Sequence, residues 1–217
     1  KTKSLTGRTL EGEQFEFELW AVDGEGQHIG DAPLQTKKNA ANGKVTFDKI
    51  DYTEADAGKT FTYTIAEVGN APAGYTYDDH TVTVTVNVTD NGNGTLGTSV
   101  TYTGSTAFTN EYEATGDAQF EVTKALTGRA LAAEQFAFEL RDSAGVVLQT
   151  KKNAANGKVT FDKIDYTEAD AGKTFTYTIA EVGNAPAGYT YDNLTVTATV
   201  TVTDNGDGTL GTSVTYT

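Results

Sequence analysis

The chain has no cysteine and no methionine, and only three prolines, two histidines and one tryptophan among its 217 residues. Without thiols there is no disulfide framework, no thiolate nucleophile and no cysteine-held metal. Two histidines, His28 and His80, are too few for a convincing metal site, and no Ser/His/Asp set, cysteine or metal cluster suggests a turnover enzyme. Cofactors are expected to be none, and metal ligands none. Positive charge is also scarce, with 16 Lys and Arg against 30 Asp and Glu for a net charge of −14. Phosphate backbones and anionic bilayers repel such a chain, which excludes nucleic acid and acidic membrane surfaces as partners. No apolar run is long enough to cross a bilayer, so no membrane insertion is expected. No secretory signal opens the sequence, and a start at Lys1 with no methionine anywhere predicts a piece excised from something longer.

What the chain does have is Thr, Val, Tyr, Phe and Gly, a strand-forming composition punctuated by turn residues. Repetition sets its organisation. Residues 34–78 recur letter for letter as 148–192, an offset of 114, and 81–103 recur with few substitutions as 195–217. Ahead of that block the offset is 121, because Lys3-Ser4-Leu5-Thr6-Gly7-Arg8 matches Lys124-Ala125-Leu126-Thr127-Gly128-Arg129. Seven extra residues in the first copy, around 24–33, account for the difference. A period this long means two tandem domains, 1–113 and 114–217, joined by a short polar linker over 113–117. The second copy stops at Thr217, the counterpart of Thr103, so its last strand is expected to be missing.

Within a copy, short alternating segments lie between turn signals. Residues 14–21 bury Phe15, Phe17 and Leu19. Asn42-Gly43 turns the chain into a strand over 44–48 that carries Val45 and Phe47. Thr53-Glu54-Ala55-Asp56 reads as a capped helical turn. A loop follows over 69–74. Residues 81–89 put Val82, Val84, Val86 and Val88 on one face, and the Asp90 to Gly94 turn leads back along 95–103. Many short strands in about 110 residues predict an all-β antiparallel sandwich of immunoglobulin type.

Three polar residues break the pattern in the same way. Phe61, Tyr63 and Ile65 share a face, and by the same count of two so does Glu67. Lys124 falls on the face of Phe120, Val122 and Leu126, and Lys3 is its counterpart. Asn110 lies between Phe108 and Tyr112. Desolvation lowers the proton affinity of a buried amine and raises that of a buried carboxyl, so both are driven toward neutrality. A neutral lysine is a nucleophile and an asparagine side chain is an amide carbonyl it can attack. A protonated Glu67 can hydrogen-bond that carbonyl, stabilise the oxyanion and pass protons to departing ammonia. The product is an amide cross-link between strands.

Lys-x-Leu-x-Gly at Lys3, Tyr-x-Ile-x-Glu from Tyr63 to Glu67, Pro-x-Gly-Tyr from Pro72 to Tyr75, and Phe-Thr-Asn from Phe108 to Asn110 occur in this order. Together they resemble the isopeptide-linkage domains of Gram-positive pilins and surface adhesins, over nearly all of both copies. The resemblance implies two tandem immunoglobulin-like (CnaB-like) β-sandwiches and a self-formed bond between Lys3 and Asn110, with Glu67 as catalytic acid. It implies Glu181 in the same role in the second copy, where Lys124 has no asparagine partner. It further implies a structural stalk on the extracellular, cell-wall-anchored surface of a Gram-positive bacterium. Its partners would be neighbouring repeats of the same parent protein, with a host surface ligand reached through other domains. No Tyr-Pro-Lys pilin motif or sorting signal is found, so a polymerising subunit is not favoured over an adhesin stalk.

Each residue also has a plainer reading. Lys3 alone reads as a solvated edge lysine, Glu67 as a strand-end carboxylate, and Asn110 as a satisfied core amide. Asn87 shares its face with Thr85 and Thr89 and drops out. The loops at 90–94 and 204–208 carry alternating oxygen ligands, but Thr101 and Thr215 stand where a calcium loop needs a glutamate, so they read as hairpin turns. The rival function is a ligand-binding adhesin module that recognises host glycan or protein through the 24–33 insertion. Trp20 falls on the face opposite the core, either covering the sheet or making a surface contact.

Overall fold

Threonine–valine alternation builds the longest strands. In the computed structural model, which describes residues 1–69, 72–183 and 187–217, the first unit is Lys1–Tyr112 and the second Glu113–Thr217. The first has strands β1 (Thr2–Thr6), β2 (Glu16–Val22), β3 (Gln35–Lys38), β4 (Thr60–Val68), β5 (Tyr75–Thr76), β6 (Thr81–Asp90), β7 (Leu96–Thr103) and β8 (Ala107–Tyr112). Two sheets form, in the orders β3-β2-β4-β6-β7 and β1-β8-β5. Val82, Val84, Val86 and Val88 are all buried, as β6 alternation requires. They meet Phe15, Phe17, Leu19, Tyr63, Ile65 and Phe108 in one core. The rings of Phe17 and Phe108, one from each sheet, lie edge to face at 5.1 Å.

The second unit contains β9 (Thr115–Ala118), β10 (Glu121–Thr123), β11 (Ala137–Arg141), β12 (Val147–Lys152), β13 (Lys158–Thr160), β14 (Ile164–Thr167), β15 (Thr174–Val182), β16 (Thr195–Asp204) and β17 (Leu210–Tyr216). Its large sheet runs β12-β11-β15-β16-β17, the same order as in the first unit, and β10-β13 and β14-β9 are separate pairs.

Most local expectations hold. Glu54–Asp56 is a single 3-10 turn capped by Thr53, whose amide donates to Asp56 Oδ2 at 2.9 Å. Asp90 to Gly94 closes the β6–β7 hairpin, with the Asn91 amide donating to Thr95 O at 3.1 Å. Asn87 faces outward and accepts from Thr60 Oγ1 at 2.7 Å. Trp20 stacks on His28 at 4.2 Å, so the first copy's insertion folds against the outer face of β2.

Three expectations change. The pairing is not wholly antiparallel, since β1 and β8 run parallel with Lys3 opposite Phe108 and Leu5 opposite Asn110. The stretch expected as a linker is partly a strand, because Thr115–Ala118 finds a partner in β14. The strand expected over 44–48 reduces in the first unit to an isolated Thr2–Lys44 bridge, although its copy in the second unit is β13. The loop over 69–74 lies partly outside the described residues. Among the described residues, no helix is long and apolar enough to cross a membrane.

Candidate functional site

The centre of the first unit's site is carried by three strands and held by turns. Lys3 leaves β1 beside Gly43, whose carbonyl accepts from the Lys3 amide at 2.6 Å. Gly43 has φ of 79°, and a Cβ there would stand 2.1 Å from the Lys3 carbonyl oxygen, so only glycine fits. Beneath Lys3 lies the ring of Phe15, 4.5 Å from Nζ. Phe15 is positioned by the buried Asn39, whose Oδ1 accepts from its amide at 2.7 Å while Nδ2 donates to Glu11 O at 2.7 Å.

Glu67 occupies the end of β4. Its Oε2 lies 3.2 Å from Lys3 Nζ, and both side chains are 0 % exposed. The contact is not aligned as a hydrogen bond, so Nζ and Oε2 remain buried without one. The other oxygen, Oε1, accepts from Asn110 Nδ2 at 2.5 Å. Asn110 is fully buried, and its Oδ1 accepts from the backbone amide of Asp78 at 3.0 Å. One carboxyl group thus bridges an amine and the nitrogen of a primary amide, while a backbone N–H holds the amide oxygen.

Burial dominates the electrostatics. It lowers the pKa of Lys3, against the opposing pull of Glu67. It raises that of Glu67, against the Asn110 hydrogen bond and the Lys3 charge. Both shifts favour the uncharged amine and acid, which is the pair required for attack on an amide.

The second unit repeats two of the three groups. Lys124 Nζ donates to Glu181 Oε2 at 2.6 Å and lies 4.5 Å over Phe136, as Lys3 does over Phe15. Glu181 Oε1 is buried without a hydrogen-bond partner. Its counterpart, Glu67 Oε1, is the atom that accepts from Asn110. A pocket of about 180 Å³ opens beside it, lined by Lys124, Phe138, Glu181, Asp192 and Leu194 among others.

A family model described as FctA, Spy0128-like isopeptide containing domain, matches residues 1–113 and again 120–217. The chain belongs to this family. Solved structures similar to these two Spy0128-like domains include the major pilin protein (T-13) from Streptococcus pyogenes, 18% identical over 99% of this chain and 94% of that one, TM-score 0.36. Another is a major pilin from Streptococcus pyogenes, 17% identical over 98% and 88%, TM-score 0.39. A third is the Bacillus anthracis TIE protein, 18% identical over 89% of this chain and 29% of that one, TM-score 0.29. No curated relative matches the chain.

The structure brings Lys3, Glu67 and Asn110 of the first Spy0128-like domain together, and Lys124 and Glu181 of the second. Sequence reasoning passed over Asp78 and gave His80 no role. The Asp78 amide, rather than Glu67, contacts the Asn110 carbonyl. Asp78 Oδ2 accepts from the Thr109 amide at 2.8 Å, and Oδ1 lies 2.5 Å from His80 Nδ1. The His80 ring stacks on Phe108 at 4.2 Å and its Nε2 lies 3.0 Å from Ser105 O. Asp78 and His80 therefore brace the backbone on the N-terminal side of Asn110, at Ser105 and Thr109. The only hint in the sequence is that the second copy, without an asparagine, has Leu194 where the first has His80.

Proposed function

We propose that the chain is a pair of structural domains from a Gram-positive surface stalk or pilus, and that the first domain closes itself with a Lys3–Asn110 isopeptide bond assisted by Glu67. The observation that carries this reading is the single buried carboxyl of Glu67 between Lys3 Nζ and Asn110 Nδ2. Neutral Nζ attacks Cγ of Asn110, and the developing oxyanion is held by the Asp78 N–H. Glu67 takes a proton from the attacking nitrogen and delivers one to Nδ2. The Cγ–Nδ2 bond breaks, ammonia leaves, and a secondary amide joins the side chains. No oxidant or cofactor enters the balance, and the reaction occurs once per chain.

Family membership supports the structural role. The bond, the surface anchoring and the stalk are the proposal. In the second domain Lys124 and Glu181 stand ready for an asparagine from a strand equivalent to β8, which the sequence up to Thr217 does not contain. The test is intact mass under denaturing conditions. Loss of ammonia makes the chain about 17 Da lighter than its sequence, once and not twice. Asn110→Ala should weigh what its sequence predicts. A wild-type chain at full sequence mass would sink the proposal.

A further inference from the structure

Residues 34–78 and 148–192 are identical, yet they do not fold identically. In the second unit this sequence supplies β13 and β14, whereas residues 50–53 of the first unit carry no strand. The difference is a partner. β14 pairs antiparallel with β9, Tyr166 opposite Gly116 and Asp165 opposite Asp117. On its other side β9 lies along the start of β17. Thr115 forms a parallel bridge to Thr209, and Thr212 Oγ1 donates to Asp117 O at 2.6 Å. Gly116 is pressed so closely onto Leu210 that a Cβ would sit 2.5 Å from its carbonyl oxygen. Phe120 follows, fully buried, with its ring 5.0 Å from that of Tyr177. Lys163 Nζ pairs with Asp117 Oδ2 at 2.9 Å. Under this segment Phe161, Tyr166 and Leu210 are 0 %, 3 % and 7 % exposed.

At the same place in the first unit there is a groove of about 470 Å³, lined by Lys49, Ile50, Tyr52, Tyr63, Val100 and Tyr102 among others. Tyr63 is the counterpart of Tyr177, and Lys49 that of Lys163. Phe47, Tyr52 and Leu96 are only half-buried, and Val100 and Tyr102 are 47 % and 53 % exposed.

We propose that this groove is an acceptor site for an extended inter-repeat segment of the kind found at 115–120. Such a segment has a glycine at its centre, an aspartate next to it and an aromatic at its end. It enters from the N-terminal side. At the offset of 121 that aligns Lys124 with Lys3, residue 121 maps to the position directly before Lys1, so a segment joined there follows the same path. Its backbone pairs with residues 50–53, its aspartate meets Lys49, and its aromatic covers Tyr63. A repeat of this kind is then closed by strands from both of its ends, one donated through the preceding junction and one carried by its own β8.

The experiment compares the full chain with a version in which residues 113–121 are duplicated ahead of Lys1. Hydrogen exchange is read residue by residue by NMR over 47–53, with the separately resolved amides of 161–167 as an internal reference. The added segment should slow exchange at 50–53 at least about tenfold and leave the reference unchanged. Gly116→Val or Phe120→Ala, made in the added copy only, should abolish the protection without touching the host fold. Protection that appears together with dimers also supports the site, filled then by a second copy. Unchanged exchange, or protection equal in both variants, would overturn it.

Discussion

Glu67 touches an amine with one oxygen and an amide nitrogen with the other, and it does so without water access. Replacing it by glutamine keeps the shape but leaves no proton to move. Glu67→Gln is expected to fold and to cross-link at least about a hundredfold more slowly, which a time course of intact mass would reveal. Cross-linking at the wild-type rate would remove Glu67 from the chemistry. Asp78 and His80 add a dependence on pH. Burial raises the Asp78 pKa, but hydrogen bonds from His80 and the Thr109 amide outweigh it and hold the group below 3.8. The Asp78 hydrogen bond raises His80 above 6.5. The carboxylate's contribution is thus present above pH 3.8 and lost as pH falls through its lowered folded value. The imidazolium's contribution is complete below pH 6.5 and lost as pH rises through its raised value. The first domain should melt at a falling temperature as pH climbs from about 6 to about 8. His80→Leu, which installs the residue of the second copy, should flatten that limb. An equal slope in the variant would show that the pair does not brace β8.

Between residue and domain, most of the polar work is done by side chains that hold turns. Asn39 satisfies the Phe15 amide and two carbonyls from a buried position. Asn39→Ala should cost about 1–3 kcal/mol in a denaturant melt, because those backbone groups are left without partners. A cost near zero would mean that water replaces the amide. The second domain offers a sharper test through Glu181 Oε1, a buried acceptor without a hydrogen bond. A peptide of residues 105–112 added to the full chain should dock beside Lys124 and form a covalent adduct on denaturing electrophoresis. Lys124→Ala and the peptide's Asn110→Ala should each prevent it. Binding without an adduct would mean that the site does not assemble from separate pieces. How far such elements could be read in advance depended on where their signals lie. Glu67 and Asn110 were legible because each interrupts a period of two on an otherwise apolar face, and Lys3 because it matches Lys124, which does the same among Phe120, Val122 and Leu126. The parallel run of β1 and β8 was not, since alternation is blind to strand direction. The strand at Thr115–Ala118 was hidden by its polar, glycine-containing sequence, which reads as a linker until the β14 edge is known. Asp78 was invisible because it reaches Asn110 through its backbone amide, which no side-chain pattern announces.

Across the whole molecule the two domains should part company on heating. A bond from Lys3 to Asn110 closes a loop of about 107 residues, and chain-entropy reasoning values such closures at about 4–5 kcal/mol. Residues 113–217 give Lys124 no asparagine on a strand equivalent to β8, so this cross-link is expected in the first domain alone. Calorimetry should show two transitions, the upper one falling to meet the lower in Asn110→Ala. A single transition indifferent to Asn110→Ala would contradict this.

The parallel pairing of β1 with β8 has a consequence for how the chain is made. Its two strands are separated by about a hundred residues, so Lys3 waits through the synthesis of almost the entire first domain before Asn110 exists. When they meet, a slip of one residue turns Thr109 inward, and a slip of two presents Phe108 or Tyr112. None of these carries an amide for the amine to attack. The cross-link would therefore form only on correctly registered chains, and the fraction of molecules at the lighter mass would count those that had folded correctly.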